Sequence, residues 1–347
     1  MRIEWLSRVL GGVLIVARGL AVFADDVAAP IAVKALQGGA NVFAGRASKL
    51  QFQMTSRAAV EADLAWSVSV ERAVIARGEK TLSLIADRGH EVPVEVEFPG
   101  AKPGAILKGL LTLDLRARDG VHVQRTTDLY VFSPDIGSHR QSWLESLDIR
   151  LFDPRKATAA ALTDGRIPYR MIPQADELPS GQGLMIYGEG IAPERQAAVW
   201  SSAMLAAQKG RQALVLGSSG SVLRQNDLIP GGNGGPAAFS VRKKDVIRGF
   251  DKRLDADQWQ SPGRIVAASL HWGARDQSAM IEFQNNNAGW PFLDIRYPKG
   301  GRLIWVGFGI VESWQATPAA RYLLLRLLED IVSGNQESEG TEHATKN

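Results

Sequence analysis

The chain has 347 residues, 45% of them hydrophobic, enough for two ordinary domains that each bury a core. Forty Lys and Arg stand against 37 Asp and Glu, a net charge of +3, and the basic residues are scattered, so the electrostatic footprint of a nucleic-acid binder is missing. Cysteine is absent, which excludes disulfides, a thiolate nucleophile and a lipid-modified cysteine.

Residues 1–24 have the layout of a secretory signal peptide. Arg2 and Arg8 precede the apolar run Val9 to Ala17, and Val22-Phe23-Ala24 offers a cleavage site with Asp25 as the mature start. The expectation is an exported protein, periplasmic or extracellular. A spanning helix needs about 20 apolar residues. No other segment supplies them, so no integral membrane span is expected after signal removal.

Residues 25–134 read as a β-sandwich. Leu50, Phe52 and Met54 alternate with polar residues; so do Leu64, Trp66, Val68 and Val70, then Leu82 and Leu84, then Val92, Val94, Val96 and Phe98, then Leu111, Leu113 and Leu115. Arg118-Asp119-Gly120 is a hairpin-type turn. About seven strands in this span fit an immunoglobulin-like count.

A linker is expected over 135–144, and the rhythm changes over 145–333. Strands are predicted at 149–152, 169–172, 183–187 and 213–216, with helices over 155–164 and from Pro193 to about Lys209. Alternating strands and helices imply a mostly parallel sheet covered on both faces. Leu214-Val215-Leu216-Gly217-Ser218-Ser219-Gly220-Ser221 reads as a buried strand entering a sharp turn. Residues 231–235 form a glycine-rich loop that lacks the strand and helix of a nucleotide-binding fingerprint. Further strands are expected at 265–270, 279–283 and 303–307, and Pro318 opens a last helix with an apolar stripe at Leu323, Leu324, Leu327, Leu328 and Ile331. The tail 334–347 is polar and reads as disordered.

Several segments carry a family resemblance. Leu151-Phe152-Asp153-Pro154 with Lys156, Thr158, Ala159 and Leu162, then Leu184 to Gly190, then Val246 to Asp251 with Trp259, then Gly301 to Ile304 with Pro318 to Arg321, resemble the segments of class I glutamine-amidotransferase-like domains appended to secreted bacterial glycosidase-like proteins. The preceding β-domain is similar to their immunoglobulin-like accessory domain. The resemblance implies a multidomain β plus α/β chain: an N-terminal immunoglobulin-like β-sandwich followed by a flavodoxin-like, class I amidotransferase-like α/β domain. It also implies non-catalytic accessory domains.

Ser219 stands where such turns carry a nucleophile, but Ser221 displaces the glycine of a G-x-S-x-G elbow. Its base would be His271, with Asp245, Asp251 or Glu189 as orienter. His271 is followed by Trp272-Gly273-Ala274, whereas the amidotransferase histidine is followed closely by glutamate. The alternative is a simple strand-to-loop connection, which is the favoured reading. Glu189 and Gly190 lie at a strand end where ligands gather in open α/β sheets, and Ser218 and Ser219 lie at the next; a tight glycine-closed turn is the plainer account of the first pair. Trp290, in a polar loop, is a candidate sugar-stacking platform, and Trp305 is core. The histidines form no ligand pair, and Asp251, Asp255 and Asp257 lack the pattern of an EF-hand, so they read as a solvated acidic turn and no metal or other cofactor is expected.

The functional expectation is therefore an exported non-catalytic binding or assembly protein whose partner is an envelope protein or a glycan. A serine hydrolase using Ser219 is the alternative, and a structural envelope interaction protein a third reading.

Overall fold

A computed structural model describes residues 30–36, 41–180, 182–191, 193–224, 236–259, 261–266, 269–274, 277–282 and 289–333. The signal-like segment, the glycine-rich loop 231–235 and the tail 334–347 lie outside the described residues. The fold is β-rich and has more than one hydrophobic core.

The period-2 segments form eight strands: β1 Ile31–Ala35, β2 Asn41–Phe43, β3 Ala47–Ser56, β4 Val60–Val70, β5 Ala73–Leu84, β6 Gly89–Glu97, β7 Ile106–Ala117 and β8 His122–Phe132. They make a sheet of order β1-β3-β6 and another of order β2-β8-β7-β4-β5. Their alternating apolar residues, among them Phe52, Met54, Leu64, Val68, Val94, Leu111, Leu113 and Val131, share one core. The turn at 118–120 joins β7 to β8, with the Val121 N–H donated to Asp119 Oδ1 at 3.1 Å.

The remainder contains α1 Gln141–Ser146, β9 Arg150–Phe152, α2 Ala157–Asp164, β10 Arg170–Met171, β11 Met185–Tyr187, α3 Pro193–Gln208, β12 Gln212–Leu216, β13 Val222–Arg224, β14 Ala238–Arg242, α4 Val246–Phe250, β15 Arg264–Val266, β16 Ser269–Ala274, β17 Gln277–Glu282, β18 Phe292–Arg296, β19 Arg302–Val306 and α5 Pro318–Ser333. Seven of these strands form one sheet in the order β10-β9-β11-β12-β19-β18-β14. The first five are parallel, and β18 and β14 run antiparallel at the edge. Both faces are covered. Leu151, Ile186, Leu214, Leu216, Ile304 and Val306 pack with α2 and α5, while Met185, Tyr187, Ala213, Val215, Leu303 and Trp305 pack with α3. The expected single strand 265–270 is instead two: β15 pairs with β13, and β16 forms a hairpin with β17.

The two parts meet across buried polar contacts. The Asn41 amide donates to the Arg253 carbonyl at 2.8 Å and accepts from the Asp255 N–H at 2.7 Å. Tyr322 of α5 packs edge-on against Phe132, with ring centroids 4.8 Å apart. Asn41→Ala leaves a backbone donor and acceptor without partners. It is expected to lower the unfolding free energy by about 2 kcal/mol, measured as a shift of the urea midpoint at constant slope.

Candidate functional site

Four strand ends converge at the C-terminal edge of the parallel strands, where open α/β sheets collect ligands: the turns after β9, β11, β12 and β19. The turn after β11 carries Glu189, which is 3% exposed. Its carboxylate accepts the Val311 N–H at 2.9 Å and the Glu312 N–H at 2.8 Å, so it clamps the turn after β19. Its own N–H is donated to Thr158 Oγ1 at 2.8 Å, at the start of α2. Burial pushes the Glu189 carboxyl up to about 7, against the pull of the backbone N–H groups of residues 310–312 and with a further push from the Glu312 charge.

Asp153, after β9, is equally enclosed. One oxygen accepts the Ala159 N–H at 2.8 Å and secures the first turn of α2. The other, Oδ1, is buried and has no hydrogen-bond partner among the described residues. Its carboxyl packs so closely on Gly188 that a Cβ there would lie 2.9 Å from Asp153 Cγ and Oδ1, which is why glycine precedes Glu189. Gly190, at φ +75°, lets the Arg155 guanidinium and Ser218 Oγ approach its backbone; Arg155 donates to its carbonyl at 3.2 Å.

Ser219 is exposed at the turn after β12. Its hydroxyl and its N–H are both donated to Glu312 Oε2, the latter at 3.2 Å. The Ser218 carbonyl accepts from the Ser221 N–H at 3.1 Å and hydroxyl at 2.7 Å, closing the turn. A chain of contacts thus runs from Thr158 through Glu189 and the 311–312 backbone to Glu312 and Ser219. The Ser219–Glu312 contact ties the turn after β12 to the turn after β19.

The orienters expected for a triad are placed elsewhere, with the exception of Glu189. Asp245 pairs with Arg242 at 2.9 Å on the surface. Asp251 is held by Arg253 at 2.6 Å and Arg326 at 3.2 Å, and these partners keep its carboxyl at about 2 despite its burial. The expectation of a solvated acidic turn at 251–257 is corrected for two of its members: Asp251 and Asp255 are buried, Asp251 in that ion pair and Asp255 capping a short helical turn through the Asp257 N–H at 2.9 Å. Only Asp257 is exposed, and it pairs with Lys244. His271 lies in β16 opposite Met280, and its side chain is outside the described residues.

Trp290 sits in an isolated β-bridge outside the named strands. Its backbone pairs with Ile265, at 2.9 and 3.3 Å, and the residue is half-buried, so it is tied to the β15 strand. Trp305 is core, as expected. Among the described residues no cluster of three metal-ligating side chains occurs, and no helix is long and apolar enough to cross a membrane.

Glu312 and Asp153 were not among the expected site residues. Asp153 has a local signal, because an Asp followed by Pro before a helix marks a helix start. Glu312 has none, since it reaches Ser219 across 93 residues of chain.

No family model matches the chain, and no curated protein matches it. Solved structures with some likeness include the sporulation control protein Spo0M from Bacillus subtilis, 14% identical over 34% of this chain and 56% of that one, with a TM-score of 0.24. The periplasmic chaperone SfaE is 7% identical over 35% of this chain and 65% of its own, with a TM-score of 0.24. A cycloisomaltooligosaccharide glucanotransferase from Paenibacillus sp. is 10% identical over 54% of this chain and 27% of its own, with a TM-score of 0.25. The chain spans just over half the length of the first of these. Similarity at this level says nothing of what the chain binds or does.

Proposed function

We propose that the chain is an exported, non-catalytic binding or assembly protein of the cell envelope, with a glycan or an envelope protein as its partner. In this reading an immunoglobulin-like β-sandwich precedes a flavodoxin-like, class I amidotransferase-like α/β domain. The strand order supports the second assignment: numbered along the chain, the five parallel strands run 2-1-3-4-5, the flavodoxin-like order of doubly wound sheets.

One observation carries the functional reading. The groups that would perform acyl-transfer chemistry at the crest hold turns together instead: Glu189 binds the 311–312 backbone and Ser219 binds Glu312. An edge built this way is a shaped, rigid surface, suited to recognition. The segment 1–24 supports export.

A serine hydrolase remains the second reading, favoured by the Ser219 hydroxyl being aimed at a carboxylate. The chain beginning at Asp25 is to be assayed with p-nitrophenyl acetate beside Ser219→Ala and Glu312→Gln, and screened against soluble envelope glycans. Equal background ester turnover in all three proteins, with saturable glycan or envelope-protein binding in the wild type, is the expected result. Turnover that disappears in both variants would replace the proposal with the hydrolase.

A further inference from the structure

The antiparallel edge of the seven-stranded sheet carries a second concavity, away from the crest. On one face of β14 and β18, Phe239, Val241, Leu293 and Ile295 pack into the core beneath α3. On the other, the register sets Ala238 beside Arg296, Ser240 beside Asp294 and Arg242 beside Phe292. This face lies in a trough of about 480 Å³ between α4 and the end of α5, within the size range of small-ligand sites. Small residues, Ala238 and Ser240, form its floor. Phe250 and Phe292, edge-to-face with centroids 5.7 Å apart, form an aromatic wall, and Gly249 leaves that wall open, since a Cβ there would meet nothing within 4 Å.

The polar end is built rigidly. Arg302, 6% exposed, grips both oxygens of Asp294 at 2.9 Å and reaches the Asp330 carboxylate and carbonyl at 2.6 Å. Asp294 also lies 3.5 Å from Arg296 Nε, an ion pair longer than a hydrogen bond. The two terminal nitrogens of Arg296 make no hydrogen bond among the described residues, and its side chain is half exposed. A guanidinium whose two terminal nitrogens are uncommitted offers them as a fork to a planar two-oxygen acceptor. Asp294 and Asp330 balance Arg296 and Arg302, and Asp245 balances Arg242. That near-neutral balance suits a single negative charge and opposes a dianion.

We propose that this trough is a binding site for a monocarboxylate carried on a flat apolar ring, the carboxylate on the Arg296 fork and the ring against Phe250 and Phe292. The site is independent of the crest and of any role of Ser219.

The test uses the full chain and three probes in calorimetric titration: 2-naphthoate, 2-naphthalenemethanol and 2-naphthyl phosphate. Naphthoate is expected to bind saturably at one site, with the alcohol and the phosphate each weaker by about tenfold or more. Arg296→Gln, at a half-exposed position, should weaken naphthoate by a similar factor. Gly249→Leu, whose side chain would enter the trough, should do the same without touching any charge. Should Arg296→Gln unfold the chain, Gly249→Leu carries the test alone. Equal binding of alcohol and carboxylate, tighter binding of the phosphate, or naphthoate affinity unchanged in the folded variants would overturn the proposal.

Discussion

Arg321→Ala is expected to lower the unfolding free energy by about 3–5 kcal/mol, the sum of carbonyls left without a donor and the void left by a large buried side chain. Arg321 is 1% exposed and sits on α5 among leucines. Its Nε donates to the Trp314 carbonyl at 2.9 Å, Nη1 to the Pro134 carbonyl at 2.9 Å and Nη2 to Gln315 Oε1 at 3.0 Å. Asp164 lies 2.9 Å from Nη2, and the guanidinium sits 4.9 Å from the Phe43 ring and 5.2 Å from the Trp314 ring. One side chain thus ties α5 to α2, to the turn after β19 and to the end of the β-sandwich. Truncation orphans two carbonyls and leaves a void where Phe43 meets α5. Arg321→Met keeps the stem volume and should lose less than the alanine variant. Urea titration of both variants gives the comparison. A loss within about 1 kcal/mol for alanine would mean that the network contributes little.

How much of this could be read before the structure depends on how local each signal is. Val92, Val94 and Val96, or Leu111, Leu113 and Leu115, announce strands because one buried face imposes period 2. The β4–β5 hairpin gave no such notice at its turn. Glu71 and Arg72 occupy it at φ +49° and +77°, a conformation usually signalled by Asn or Gly. Strand β19 is buried along its whole length, which hides its direction, and β18 sets Asp294 and the exposed Arg296 among three apolar residues in a run of five, so the antiparallel edge was not legible. Strand β14 alternates over only five residues at the sheet edge, too short to stand out from the segment around it.

The site divides in the same way. Glu189 and Ser219 were legible because a strand ending in a glycine-flanked turn is a local pattern. Their partner Glu312, and the Asp294–Arg302–Asp330 network, arise from contacts between distant segments and leave no spacing to read. Arg321 is intermediate. A charge three and seven positions before Leu324 and Leu328, on the apolar stripe of a helix, signals a buried arginine without naming what it holds.

Wild-type stability is expected to fall by about 3 kcal/mol relative to Glu189→Gln as the pH rises from about 4.5 to about 8, since a displaced titration costs about 1.4 kcal/mol per pH unit of displacement. The Glu189 carboxyl titrates near 7 in the folded chain against an ordinary 4.5. Between these values the folded state holds a proton that the unfolded state has released, so stability decreases as the pH climbs through this window. Below the window the penalty is absent, and above it the full penalty applies. The groups facing Glu189 are the Glu312 charge, which adds to the rise, and the N–H groups of residues 310–312, which oppose it; burial outweighs them. Glutamine has no proton to lose, but its amide turns an NH2 toward one of the two N–H donors that Glu189 accepts. The variant should accordingly start below wild type by about 1–3 kcal/mol at acidic pH, and the gap should close or invert by about pH 8. Titratable groups elsewhere contribute equally to both proteins and cancel in the difference. Denaturation of the pair at three pH values decides the matter: parallel curves would show that the carboxylate enters the crest without the desolvation its burial implies, and that the two N–H donors alone are enough to hold it charged.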